Sequence, residues 1–305
     1  MPEFQTLSVH ILLFAALMIP GFLLGKCGKL KGAADGITNL LTHLAMPALV
    51  FQKIAEIDLS ALPLMDALIS LLAPVLLIPL FYLPVKFLFK ERSARFCALF
   101  SNCGFLGLPL AAALFPDQPQ VSLYVALFNI SSTFMMLTFG LFILSGNTKE
   151  ISPLGAIFKP ITFGVLAGIA VALLREHLPL DFLLSYGEYF SDLTVPLAML
   201  TLGAALSATK PRTLLQRPAL WGVAAIKLVA FPLLTLALFS IFPARSAPCA
   251  AALFLSTGVS TAATAPALSE KYADDPEGGT VYTLGTTLFC LITLPLMSLI
   301  YQLFL

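Results

Sequence analysis

The sequence predicts an all-α membrane protein whose chain crosses the bilayer ten times. Of the 305 residues, 59% are hydrophobic and only 11% are charged, whereas about 25% of a soluble domain is charged. The mean hydropathy is +0.95. Because one membrane-spanning helix takes about 20 residues, ten of them occupy roughly 200 residues and leave no room for a second, soluble domain. This composition excludes a soluble enzyme and a disordered chain.

Charge and cysteine content exclude further classes. The net charge is +1, without the Lys and Arg clusters that nucleic-acid binding requires, so no nucleic-acid partner is expected. The five cysteines include no CxxC pair, so neither a metal site nor a disulfide framework is predicted, and no cofactor is expected. Residues 1–10 contain no Lys or Arg. The first apolar run is therefore interpreted as a retained helix rather than a signal peptide.

Apolar runs separated by short polar segments define the ten predicted spans, numbered here in chain order. Their residues are 7–26, 34–55, 62–89, 93–115, 120–145, 153–176, 180–208, 213–242, 246–271 and 278–304. Loops after odd-numbered spans contain 13 of the 17 Lys and Arg residues, and loops after even-numbered spans contain only Lys53, Arg175 and Arg245. The positive-inside rule therefore places odd-numbered loops in the cytoplasm and both termini on the outer side.

The two halves of the chain share a pattern, and residues 1–148 and 149–305 are predicted to form two inverted five-helix repeats. Spans 2 and 7 each place Thr, Pro and small apolar residues together, around Pro47 and Pro196. Spans 4 and 9 are both polar and contain glycine. Because each half has an odd number of spans, the second half enters the membrane from the opposite side, which is the arrangement of many transporters.

Spans 4 and 9 are predicted to be broken near the centre of the membrane. Gly104 and Gly258 lower the cost of leaving helical geometry, and Pro109 and Pro266 each remove a backbone donor. Unwound backbone survives in a membrane only where it lines a cavity or is buried in protein. The exposed N-termini of the half-helices favour an anion. Tight helix packing through small residues is the alternative interpretation.

Several polar residues inside the spans are candidates for function. Lys227 in span 8 has three interpretations: it caps carbonyls of a broken helix, it holds a carboxylate, or it reaches the cytoplasmic edge of the membrane. His43 in span 2 is either a proton carrier or a hydrogen-bonded core residue. Asn129 in span 5 either bonds across helices or lines the site. Asp66 is a candidate to pair with Lys53 near the outer face.

An intramembrane protease is the obvious enzyme alternative, and the sequence does not favour it. A serine protease needs a histidine base beside its serine, yet His10 and His177 lie near the membrane edges. An aspartyl protease needs two embedded aspartates, and Asp66 alone qualifies. No phosphate-binding loop or HExxH motif is present, so no catalytic activity is expected.

The order of five motifs resembles the auxin efflux carrier family, which includes plant PIN-type auxin exporters and bacterial malate and malonate permease-like proteins. The resemblance covers nearly the whole chain. Its motifs are Ala45–Val50 in span 2, Asn102–Pro109 in span 4, Val195–Leu206 in span 7, Ile226–Leu234 in span 8 and Ser269–Tyr272 at the end of span 9.

The resemblance implies a scaffold domain, a transport domain in which spans 4 and 9 cross, and commonly a homodimer. Plant members hold the substrate carboxylate at the crossing, beside an Asn that follows a Pro. Asn102 matches that Asn, with Ser101 in place of the Pro, and the crossing in span 9 falls near Ser260–Thr261 without the usual Pro. Asn129 matches a polar position near the site, and Lys227 matches a recurring basic position.

The sequence is therefore interpreted as a carrier of a small organic anion, such as malonate or malate, in the bacterial inner membrane. It would work by alternating access, with an elevator movement of the crossing against spans 1, 2, 6 and 7. The predicted substrate-binding residues are Ser101, Asn102, Cys103, Gly104, Asn129, Gly258, Ser260 and Thr261. The predicted helix-breaking or supporting residues are Pro47, Pro109, Pro196, Pro266 and Lys227, and His43 is the candidate proton carrier.

Two further hypotheses stay open. One is a sodium-coupled carrier of larger amphipathic anions, and the other is a channel or a membrane sensor that does not transport. Because no carboxylate is expected near the crossing, a membrane potential or a proton gradient is favoured over sodium as the driving force.

Overall fold

The computed structural model describes residues 4–30, 32–58, 60, 62–147, 159–174, 180–207, 217–241 and 246–304. Within these ranges the secondary structure is helical, apart from turns and one isolated β-bridge. Six helices are long and apolar enough to cross a membrane, and three shorter ones are apolar. The protein is therefore an all-helical membrane protein, as predicted. The number of crossings stays a prediction.

The described residues form thirteen helices, numbered here in chain order, which overlap the ten predicted spans. Their bounds are α1 Phe4–Lys26, α2 34–55, α3 Leu64–Leu88, α4 Arg92–Leu99, α5 Cys103–Leu114, α6 Pro119–Ser145, α7 Pro160–Leu174, α8 Asp181–Ser191, α9 Thr194–Ser207, α10 Ala219–Phe239, α11 Ala247–Gly258, α12 Ala265–Tyr272 and α13 Pro276–Phe304. Spans 4, 7 and 9 are each divided into two helices. The proposed repeat boundary at residues 148–149 and the predicted span ends at 153–158, 175–176, 208, 213–216 and 242 lie outside the described residues.

Three helices of the described residues contain a π turn that ends two residues before a proline. The turns are Leu41–Ala45 before Pro47, Cys103–Gly107 before Pro109, and Ile226–Ala230 before Pro232. Proline has no N–H and interrupts the regular ladder, and a single π turn absorbs such an interruption without ending the helix. The helices therefore continue through Pro47 and Pro109 rather than breaking there.

Pro196 and Pro266 lie after breaks. Pro196 is in the first turn of α9, and Pro266 is the second residue of α12. The missing N–H costs nothing in the first turn of a helix, where backbone donors lack intrahelical partners. These two prolines start helices.

In one group of helices, glycines allow neighbouring helix backbones to lie in close contact. In α1, a Cβ at Gly21 would lie 2.2 Å from the carbonyl oxygen of Leu200, and one at Gly25 would lie 2.1 Å from the Ser207 hydroxyl oxygen of α9. In α7, Gly164 and Gly168 have the same spacing and make the same kind of contact with α2, where Pro47 O would be 2.5 Å from a Cβ at Gly164. Small residues four apart let two helix backbones touch inside a membrane.

The remaining long helices form a second packed group. Helix α3 packs on α6, α11 packs on α6 and α10, and α13 packs on α10 and α12. The two groups meet where α2 and α7 contact α6 and where α1 contacts α13. The candidate site lies at this boundary.

Candidate functional site

Spans 4 and 9 are broken and cross each other at their breaks. The first break lies between α4 and α5, and the second between α11 and α12. Ser101 and Thr261 form an antiparallel bridge at the crossing. The amide of Asn102 donates to Ser260 O at 2.8 Å, and the amide of Ala262 donates to Phe100 O at 3.0 Å. The two unwound segments thus satisfy part of each other's backbone, as unwound backbone in a membrane must.

Side chains satisfy the carbonyl end of α11. Lys227 Nζ donates to Thr257 O at 2.5 Å, and Cys103 Sγ donates to Ser256 O at 3.2 Å. The last carbonyls of a helix lack intrahelical partners and carry a partial negative charge. Lys227 therefore caps a broken helix, which was one of its three interpretations, and it is fully buried rather than reaching the membrane edge.

A cavity of about 140 Å³ opens beside the crossing. Its walls come from both packed groups: α2 and the start of α7 on one side, and the crossing segments and α6 on the other. Ser101, Asn102 and Gly104 line it from span 4, and Asn129 lines it from α6. The structure therefore brings these four predicted binding residues together.

Asn102 presents an unused hydrogen-bond donor at this cavity. Its side chain is 2% exposed, and its Nδ2 atom has no hydrogen-bond partner. A buried donor without a partner costs about 1–3 kcal/mol. Because Asn102 precedes the first residue of α5, the positive end of that helix dipole lies at the same place. The arrangement suits an acceptor with negative charge.

Gly104 leaves space in the cavity and brings Asn129 close. A Cβ at position 104 would lie 2.9 Å from Met46 Cε and 3.5 Å from Asn129 Oδ1. Any side chain there would reduce the space between α5, α2 and α6.

The polar face of α6 completes the wall. Asn129, Ser132, Thr133 and Met136 all line the cavity, at the spacing that places residues on one helix face. Sequence reasoning found Asn129 alone, although this spacing of i, i+3, i+4 and i+7 was visible. Other lining residues that it missed are Thr42, Met46, Phe105, Lys159, Pro160, Ile161, Ala262 and Ala263. In the sequence, Lys159 indicates only the orientation of its loop, whereas in the structure it adds a positive charge at the cavity.

Four predicted binding residues are not on the cavity wall. Cys103 and Gly258 lie behind it, and Ser260 and Thr261 are fully buried in the crossing itself. The Thr261 hydroxyl donates to Cys97 O at 2.8 Å, so it caps α4 instead of facing a ligand. The wall on the span 9 side is formed by Ala262, Ala263 and Thr264.

His43 and Asp66 lie away from the crossing. The His43 ring is exposed, 3.1 Å from Asn39 O within its own helix, and it does not line the cavity. Asp66 is buried and accepts a hydrogen bond from Ser246, whereas Lys53 pairs with Glu56 at 3.5 Å. The candidate pairing of Asp66 with Lys53 was wrong, because Lys53 pairs three residues along its own chain.

A second, larger cavity of about 600 Å³ adjoins the first. Both are lined by Phe105, Ala263 and Thr264, which separate them. The second cavity extends to Gly25 near the end of α1, to Gly28 after that helix, and to Thr280 in α13. Those ends carry the loops that the Lys and Arg distribution assigns to the cytoplasm.

Comparison with known proteins agrees with this architecture. A family described as membrane transport protein matches residues 6–153 and 146–298. An uncharacterized transporter of the archaeon Methanocaldococcus jannaschii is 28% identical over 232 residues, which is 70% of this chain and 72% of that protein. The chain therefore belongs to the membrane transport protein family, also called the auxin efflux carrier family, and is an integral membrane protein.

Proposed function

We propose that the protein is a secondary carrier of a small organic anion and that it holds the anion's carboxylate at the crossing of spans 4 and 9. The observation that carries this proposal is the unpartnered Nδ2 donor of buried Asn102, at the N-terminus of α5 and on the cavity wall. Lys159 adds a positive charge to the cavity wall, and the Asn129 amide adds a further hydrogen-bonding group. Binding of the anion at the crossing therefore needs no direct contact with a charged side chain at the centre of the membrane.

The size of the cavity favours a short carboxylate such as malonate or malate. Drug-sized ligands usually occupy cavities of about 300–1,000 Å³, whereas this one measures about 140 Å³. A sodium-coupled carrier of larger amphipathic anions is the less favoured alternative on this ground.

The arrangement of the cavities supports alternating access. The site lies between a scaffold of α1, α2, α7, α8 and α9 and a transport domain of the other helices, with its access route toward the predicted cytoplasmic side. Movement of the crossing against the scaffold, as in an elevator, would carry the site to the outer side. The matching glycine pairs of α1 and α7, which pack on α9 and α2, support the proposed inverted repeats.

For the driving force we propose the membrane potential or a proton gradient, with His43 as the candidate proton carrier. One net charge crossing at 100 mV gains about 2.3 kcal/mol, which supports roughly 50-fold accumulation or depletion. We further propose a homodimer in a bacterial inner membrane with both termini on the outer side.

The test is a recording of currents from purified protein in liposomes on a solid-supported membrane. Malonate, malate, succinate, pyruvate and indole-3-acetate are added in turn, with and without sodium, and radiolabelled uptake detects electroneutral transport. A saturable, sodium-independent signal with a short carboxylate is expected. Sodium dependence would favour the alternative carrier, non-saturating current a channel, and binding without flux a sensor.

A further inference from the structure

Lys227 is a buried positive charge whose partners are all neutral. It lies in the π turn Ile226–Ala230 of α10 and is 0% exposed. Its Nζ donates to Ser101 Oγ at 2.6 Å and to Thr257 O at 2.5 Å, and lies 5.0 Å from the centroid of the Phe231 ring. A hydroxyl, a carbonyl and a ring stabilise an ammonium group, but they carry no formal charge.

No carboxylate pairs with this ammonium group in the part of the chain that the structure describes. The ion pairs there use Lys53, Arg92 and Arg217 as the basic partners. The C-terminal end of α11 supplies about half a negative charge. Burying an unpaired charge in a membrane is costly, and such residues mark substrate pathways.

One side chain separates Lys227 from the cavity. Ser101 accepts a hydrogen bond from Lys227 and also lines the cavity. A serine hydroxyl has one donor and two acceptor lone pairs. With Lys227 on its oxygen, Ser101 can donate its own proton toward the cavity, so a carboxylate held there would be linked to the ammonium group through one hydroxyl.

We propose that the counter-charge of Lys227 is a carboxylate of the transported anion, held on the far side of Ser101. Lys227 is then a positioning residue that sets the preference for anions over neutral molecules without touching the substrate. This inference rests on the proposed anion site. It adds that the crossing moves with a monocarboxylate as a neutral pair and returns empty with one positive charge.

The first experiment compares acids with their neutral amides. Binding of pyruvate, pyruvamide, indole-3-acetate, indole-3-acetamide and malonate to the purified full chain is measured by calorimetry for the wild type, Lys227→Met and Lys86→Met. Lys86 is exposed at the end of α3 and controls for the loss of one charge far from the crossing. In Lys227→Met, the preference for acid over amide should fall about 10- to 100-fold, and in Lys86→Met it should persist.

The outcomes separate this inference from the proposed function. Undiminished preference for the acid in Lys227→Met would overturn the role of Lys227 and leave the anion site in place. Absence of carboxylate binding to the wild type would contradict the anion site itself and this inference with it.

The second experiment needs no folded Lys227 variant. Equilibrium exchange of labelled pyruvate across proteoliposomes is measured with and without a potassium diffusion potential. With saturating pyruvate on both sides the carrier crosses only in the loaded form, so the neutral pair predicts exchange that does not respond to the potential. A potential-dependent exchange rate under these conditions would overturn the inference. Ser101→Ala keeps the bond between Lys227 and Thr257 O but removes the connecting hydroxyl, and it should lower the acid preference as well.

Discussion

Ser101 and Thr261 form a single antiparallel β-bridge where two broken helices cross. Their side chains make different contacts. The Ser101 hydroxyl accepts from Lys227 and lines the cavity, whereas the Thr261 hydroxyl caps the carbonyl of Cys97. At this bridge, therefore, the Ser101 side chain faces the cavity and the Thr261 side chain stabilises the break.

Replacement of Asn102 by Ala should weaken anion binding by about 10- to 100-fold, because a hydrogen bond to a charged group contributes about 1.5–3 kcal/mol. Protein stability should change little, since Nδ2 has no partner to lose. Isothermal titration with the anion that gives transport current measures the effect. Unchanged affinity together with unchanged flux would remove Asn102 from the site.

Gly104→Ala should reduce flux and raise the half-saturating concentration, because the added Cβ meets Met46 Cε at 2.9 Å and narrows the space beside Asn129. Gly107→Ala is the matched control within the same π turn. Its Cβ would find only ordinary contacts, the nearest at 3.6 Å from Val125. Anion uptake into liposomes is measured for both variants. Equal loss of transport in the two would contradict a specific role for Gly104.

Gly203→Ala should destabilise the protein by about 1–3 kcal/mol through overpacking. The new Cβ would lie 2.0 Å from the carbonyl oxygen of Met18, so α1 and α9 would have to separate. Gly36→Ala is the control in α2, because nothing lies within 4 Å of its Cβ and alanine is the better helix former. Thermal unfolding in detergent should show a lower midpoint for Gly203→Ala only.

Cys27 allows a test of orientation without an introduced label site. It is exposed, while Cys97, Cys103, Cys249 and Cys290 are buried. A membrane-impermeant maleimide should label right-side-out vesicles only after permeabilisation, because the loop after span 1 is predicted to be cytoplasmic. Cys27→Ser should abolish the labelling. Labelling of intact vesicles would reverse the predicted topology.

A polar network joins α4 to the residues that precede α10 and α13, and its contribution to stability can be tested. Arg217 donates to Asp275, and Ser93 donates to the same carboxylate at 3.3 Å. The hydrogen bond to Asp275 raises the pKa of Arg217, so the guanidinium stays charged at any pH the protein meets. Asp275→Asn should lower thermal stability modestly. Because partly exposed ion pairs are screened, high salt should narrow the difference from the wild type.

Local composition was enough to predict the helical class and the presence of breaks in spans 4 and 9. The resemblance to the family indicated that Asn102 lies at the crossing. Glycine and polar residues inside an otherwise apolar run can be recognised within a few positions of the chain. Ser101, Asn102 and Ser260 could therefore be identified from the sequence alone. The family followed from the order of such motifs.

The contribution of each side chain at the crossing was decided by tertiary structure alone. Ser260 and Thr261 look like ligand residues in the sequence, yet they are fully buried in the crossing, and Thr264 lines the cavity instead. Likewise, Lys227 and Ser101 are far apart in the chain and meet because α10 packs behind the break. The direction of a side chain in an unwound segment depends on which neighbouring segment forms hydrogen bonds with its backbone. That neighbour comes from the other half of the chain. Local sequence therefore determined that spans 4 and 9 break, and only packing determined which side chains face the cavity.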